Sequence, residues 1–156
     1  MDRARSIDSK DLDILESLQA NARVPLSELG RTIGLSQPAV SERVKRLEEA
    51  GVIEGYAAKI NPRALGLGLT AIVRLRTTHE HIKTCLKKFA EIPHIVEVNR
   101  VTGEDCFVLK VLVPAPEDLE TIVDRIAGFG AVTTSLVLSS EPGRSIGRAL
   151  IKSGIK

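Results

Sequence analysis

The sequence predicts an α+β protein in two parts, three short helices followed by a β-α-β-β-α-β unit. Apolar residues recur at helical spacing up to about residue 50, then alternate at strand spacing from residue 69. Between these regions lies NPRALGLG, whose Asn, Pro and Gly mark a hinge.

With 156 residues, 43% of them apolar, the chain can form one ordinary domain or two small ones with packed cores. Its net charge is only +2, and the first 60 residues hold nine Lys/Arg against ten Asp/Glu. Contact with nucleic acid must therefore come from local clustering rather than bulk charge. Cys85 and Cys106 lack CxxC spacing, which argues against a disulfide framework or zinc site and fits reduced thiols in the cytoplasm. The N-terminal residues show no apolar signal segment, and nowhere do about 18 uncharged apolar residues run together. A soluble cytoplasmic protein without a membrane partner is expected.

In chain order, Leu12, Ile14, Leu15 and Leu18 give the first helix its apolar face, behind the polar run Asp8-Ser9-Lys10-Asp11. Leu26, Leu29 and Ile33 mark a short second helix that stops at Gly34. Ser36 caps the third, Pro38 sits in its first turn, and Val40, Val44 and Leu47 form its inward stripe up to Gly51. VIEGYAAKI then offers a small hairpin or a single exit strand. The boundaries read as residues 1–60, a hinge at 61–68, a second domain at 69–141 and a basic tail at 142–156.

In the second domain, LTAIVRLRT alternates as a strand, and Ile82, Cys85, Leu86 and Phe89 form a helix that Pro93 stops. IVEVNRV and CFVLKVLV form a hairpin across Thr102-Gly103-Glu104-Asp105. Leu119, Ile122, Val123 and Ile126 mark another helix, and a final strand runs from Val132 to about Leu138. This order is ferredoxin-like, with both helices on one face of an antiparallel sheet. Val108 and Leu112 take the opposite parity from Phe107, Leu109, Val111 and Val113. With both parities apolar, the economical solution is a second copy packed sheet to sheet, in a homodimer or larger even assembly.

The outward side of the third helix carries Pro38, Ser41, Glu42 and Lys45, flanked by Gln37, Arg43 and Arg46. Two helices this close in sequence leave the second projecting, and such a helix fits the major groove of DNA. Gln37 and Ser41 are candidates for base edges, while Arg43, Lys45 and Arg46 are candidates for phosphates. The N–H groups behind Ser36 can meet a phosphate. Charged residues on an exposed helix are more often a solvated face; it is their combination with the short helix, the Gly-Leu-Ser turn and the extended segment that favours DNA.

These residues, from IDSKDLDILESLQANAR through LSELGRTIGLSQPAVSERVKRLEEAGVIEGYAAKINPRALG, resemble the Lrp/AsnC, or feast/famine, family of transcriptional regulators. The resemblance runs to about Glu141. It implies an N-terminal winged helix-turn-helix that binds double-stranded DNA. It also implies a C-terminal ligand-sensing domain that assembles dimers and often octamers. In that family the loop before the third strand commonly reads Gly-Asp-x-Asp-Tyr/Phe and borders the pocket of a small effector, usually an amino acid. Here it reads Gly103, Glu104, Asp105, Cys106, Phe107, so one carboxylate has moved. An amino acid needs an acceptor for its ammonium group and donors for its carboxylate. Glu104 or Asp105 supplies the first and N–H groups near Gly103 the second, with hydroxyls from Thr133, Thr134 and Ser135 nearby. The effector-site candidates are Gly103, Glu104, Asp105, Cys106 and Thr134; the plainer reading is a polar turn.

Cys106 reads as a small core residue in preference to a redox sensor. His79, His81 and His94 lack a third ligand at metal spacing, so no metal and no cofactor are expected. The tail, with Arg144, Arg148, Lys152 and Lys156, reads as a mobile end, or as a contact to DNA or a neighbouring subunit. The principal expectation is a sequence-specific, effector-responsive regulator and not an enzyme. The alternatives are an enzyme resembling the siroheme decarboxylases, which share the layout, and a metabolite-binding scaffold.

Overall fold

The structure is a computed structural model that describes residues 7–154. It divides into two compact units, one of residues up to Ala58 together with the segment from Pro142, the other Lys59–Glu141. The elements in chain order are α1 (Ser9–Ala20), α2 (Leu26–Ile33), α3 (Gln37–Glu49), β1 (Leu69–Thr77), α4 (Ile82–Ala90), β2 (Ile95–Arg100), β3 (Phe107–Val113), α5 (Pro116–Ala127), β4 (Gly130–Leu136) and α6 (Arg148–Gly154). Among the described residues no helix is long and apolar enough to cross a membrane.

In the first unit, Ile14, Leu29, Ile33, Val40, Val44 and Leu47 form the core. A capping box starts α1: the Asp11 N–H donates to Asp8 Oδ1 at 2.8 Å, and the Asp8 N–H donates to Asp11 Oδ2 at 3.1 Å. Gly34 ends α2 at φ +72°. The Leu35 N–H returns to the Gly30 carbonyl at 2.8 Å. A Cβ on Gly30 would lie 2.6 Å from the Leu35 carbonyl oxygen, so α2 and α3 approach this closely only over bare backbone. Ser36 Oγ accepts the Ala39 N–H at 3.4 Å and starts α3.

Beyond α3 the structure departs from the expected hairpin or exit strand. Residues 54–60 run without secondary structure, and among the described residues no backbone hydrogen bond holds them. Strand propensity needs a ladder partner, and this segment has none among the described residues. Ile53 packs onto the core, while Val52, Tyr56 and Ile60 stay exposed. The tail also departs from the expected mobile end. It closes with α6 against α1; Lys156 lies outside the described residues.

The segment expected as a hinge falls inside the second unit and carries a 3-10 turn at Pro62–Leu65, capped by Asn61. In the second unit the sheet order is β2-β3-β1-β4, antiparallel throughout. Ala71, Val73 and Leu75 of β1 lie opposite Val111, Leu109 and Phe107 of β3, and all are buried with α4 and α5 residues. On the other face Ile72, Val108 and Leu112 are only half-buried, beside exposed Arg74, Arg76 and Lys110. β4 starts two residues before Val132. Gly130 pairs with Thr77, and a Cβ there would lie 2.0 Å from the Arg76 carbonyl oxygen.

Gly30→Ala is expected to destabilise the first unit by about 1–3 kcal/mol through overpacking. Gly128→Ala, at φ −64° with open space around it, leaves stability equal or slightly raised. Thermal unfolding of the two variants checks the contrast.

Candidate nucleic-acid interface and ligand loop

Helix α3 sorts its side chains by what can be buried. Val40, Val44 and Leu47 dock on α1 and α2, and Gln37, Pro38, Ser41, Glu42 and Lys45 remain exposed. Lys45 Nζ lies 3.7 Å from Glu49 Oε1, with both side chains well exposed. A solvated pair of this kind holds its lysine weakly and leaves the charge available.

Arg43 and Arg46, expected at phosphates, both turn back onto α1, with Arg46 still 40% exposed. Arg43 Nη1 donates to Asp8 Oδ2 at 2.7 Å and to Asp11 Oδ1 at 2.8 Å. Arg46 Nη2 donates to both oxygens of Asp11, at 2.8 and 2.9 Å. The physical reason is Asp11 itself, whose side chain is only 2% exposed. A carboxylate taken that far out of water needs cationic donors, and Arg supplies them as a planar fork. The signal was present in the sequence as two pairs at i, i+3, Asp8/Asp11 and Arg43/Arg46.

The first-turn geometry has an electrostatic result. The Asp11 N–H holds the Asp8 carboxyl below its ordinary value of 3.8, assisted by Arg43, while Asp8 and Asp11 raise Arg43. Lys10 Nζ donates to the Ile33 carbonyl and so caps the end of α2 from α1. All three helices are thus tied by polar contacts around their apolar core.

In the second unit the loop before β3 carries Gly103 at φ +111°, a conformation that favours glycine. Asp105 Oδ2 lies 3.8 Å from Arg74 Nη1 and Glu104 Oε2 lies 3.9 Å from Arg76 Nη1. Both separations exceed hydrogen-bond length, so the four charges attract one another without closing their donors and acceptors. Sequence reasoning missed Arg74 and Arg76, although LTAIVRLRT places both on the polar parity of β1.

Two expected members do not join this group. Cys106 turns inward, its Sγ donating to the Thr77 carbonyl at 3.1 Å while it packs on the core. Thr134 pairs with Val73 and takes the helix-covered face; Thr133 pairs with Arg74 and shares its face. The two residues differ by one position, and strand side chains alternate. His81 stands edge-on to Phe129, and among the described residues no group of His, Cys, Asp and Glu is arranged to hold a metal.

Residues 7–54 match the winged helix-turn-helix DNA-binding family and residues 70–144 match the Lrp/AsnC ligand binding domain. The Bacillus subtilis protein YezC, named as an uncharacterised HTH-type transcriptional regulator, is 38% identical over 86% of this chain and 95% of its own. The structure of B. subtilis LrpC superposes with a TM-score of 0.83 at 29% identity, covering 89% of this chain and 99% of that one. A feast or famine regulatory protein from M. tuberculosis, solved with L-methionine, gives 0.81 at 32% identity over 88% and 96%.

Asp11→Ala is expected to cost roughly 1.5–3 kcal/mol, since Arg43 and Arg46 lose their shared acceptor. The lowered carboxyl of Asp8 contributes stability above pH 3.8 that is lost as pH falls through its lower folded value. Asp8→Asn should therefore flatten the acid limb of an unfolding-versus-pH curve, which urea titrations across that limb measure.

Proposed function

Since this chain belongs to the Lrp/AsnC family of transcriptional regulators, we propose that it reads duplex DNA with the outward edge of α3 and answers to an amino acid held at the loop before β3. The observation that carries the DNA half is the split in α3 between inward-tied and outward-free side chains. Arg43 and Arg46 fix the helix to α1, and Gln37, Ser41 and Lys45 face away from the core.

A helix about 10–12 Å across enters a major groove about 12 Å wide. Gln37 and Ser41 then meet base edges with their amide and hydroxyl groups, and Lys45 meets a phosphate. Ser36, as the cap, leaves the first N–H groups of α3 aimed at the backbone of the duplex. Pro38 and Glu42 share the exposed edge and shape its fit.

The effector half rests on the four charges at the ligand loop. A zwitterion presents its carboxylate to Arg74 and Arg76 and its ammonium to Asp105 and Glu104, replacing two long ion pairs with short ones. L-Methionine bound to the M. tuberculosis and Neisseria meningitidis relatives supports an amino acid as the ligand class. Thr133 adds a hydroxyl on the same face.

The half-buried Ile72, Val108 and Leu112 on the helix-free face support a second copy packed there, in an even homo-oligomer. Such a dimer spaces two α3 helices by about one turn of DNA, about 34 Å. The effector regulates by favouring one assembly or orientation over another by about 1–3 kcal/mol. The relatives' names as HTH-type transcriptional regulators support a regulator, not an enzyme, at work in the cytoplasm.

Selection of bound duplexes with and without a panel of amino acids supplies the operator and the effector. On those, Lys45→Ala should weaken binding to any sequence and lower the salt slope by about one, whereas Gln37→Ala should relax discrimination by about 1–3 kcal/mol. Equal losses on selected and random duplexes for both variants would contradict the assignment. Arg74→Gln should abolish the amino-acid effect and leave effector-free DNA binding unchanged, read by calorimetry and by mobility shift.

A further inference from the structure

The basic tail is engaged by a constellation that the regulator reading does not use. Arg148 Nε donates to both Glu16 oxygens at 3.0 and 3.1 Å, and its Nη2 reaches Glu16 Oε2 at 3.1 Å and also Asp13 Oδ1. Gln19 adds a reciprocal amide pair to the backbone of Ile146. Its Oε1 accepts the Ile146 N–H at 2.8 Å, and its Nε2 donates to the Ile146 carbonyl at 3.1 Å. Ile146 and Ile151 border a half-open apolar groove of about 580 Å³ whose other walls include Leu15, Leu18, Ile53 and Tyr56, with Ile146 and Tyr56 still partly exposed. Cationic fork, backbone pairing and apolar seat converge on one side of α1.

We propose that residues 142–154 form a strap that each chain folds back onto its own DNA-binding unit, with Arg148 as its catch. The strap steadies α1 and, through it, α3, without touching DNA. At about 100° per residue, Asp13 and Glu16 lie on the side of α1 roughly opposite Asp11. One flank of α1 is therefore held by the arginines of α3 and the other by Arg148. A DNA arm would present its guanidinium group to solvent. Here one guanidinium faces two carboxylates, which leaves the local charge negative and repels phosphate. The strap also makes the DNA-binding unit a two-segment domain, with Lys59–Glu141 inserted and tethered at both ends.

Arg148 is thus a positioning residue, and its role in DNA binding rests on the regulator reading above. The test uses the full chain with Cys106→Ser, Ala22→Cys and Ser145→Cys, which leaves Gln19 and Arg148 in place, joined by a short bis-maleimide and run on a denaturing gel. The strap predicts a monomeric cross-linked product. A dimeric product would show the tail exchanged between copies, and no product would show it undocked; either overturns the proposal. In parallel, Arg148→Gln is titrated with a random-sequence duplex over a range of salt. The expected result is severalfold weaker binding at an unchanged salt slope, restored when the cross-link is placed in the Arg148→Gln chain. A slope lowered by about one would make Arg148 a phosphate contact, and unchanged affinity would leave the strap without a positioning role; both overturn it. Should the unmodified chain bind no duplex at all, the regulator reading fails while the gel still reports the strap.

Discussion

A nearly buried carboxylate governs the geometry of the first unit. Asp11 has been drawn out of water at the start of α1, and it is tolerable there because two arginines of α3 and a backbone N–H of the capping box satisfy its oxygens. The apolar stripe of α3 alone would permit some rolling against α1 and α2, because hydrophobic contact is non-directional. The guanidinium hydrogen bonds to Asp8 and Asp11 are directional, and they settle which edge of α3 faces in. The outward position of Gln37, Ser41 and Lys45 follows from that choice.

The helices and strands were legible where local pattern and tertiary demand agree. LTAIVRLRT alternates and is a strand; Ser36, Pro38 and Gly34 punctuate the helices where their backbone preferences require. What escaped was decided by partners distant in sequence. Arg43 and Arg46 read as surface cations because Asp11 lies more than thirty positions away. Arg148 read as part of a loose end because its acceptors on α1 are more than a hundred residues distant. VIEGYAAKI has strand propensity, but propensity supplies no ladder partner. In the ligand loop, Thr134 and Thr133 have the same chemistry, and only the register of β4 against β1 separates their faces.

The two units apply opposite electrostatic solutions. In the first, short ion pairs are consumed in holding α3 to α1, and a lysine-to-carbonyl hydrogen bond ties α2 to α1. In the second, Arg74 and Asp105 stand 3.8 Å apart and Arg76 and Glu104 3.9 Å apart, beyond hydrogen-bond length and open to solvent, with Asp105 half-buried, on a sheet whose other face is sealed by α4 and α5. Charges left in that state cost little fold stability and remain available to a charged ligand. On the proposed function, that contrast pairs a rigid reader with a responsive sensor in one chain.

Hydrogen–deuterium exchange of the full chain, alone and saturated with a selected duplex, tests the central claim most directly. Protection confined to the turn before α3 and to the first two turns of that helix, with α1 unchanged, is the predicted result. Protection elsewhere, with α3 exchanging as in the free protein, would contradict the assignment of its outward edge to DNA.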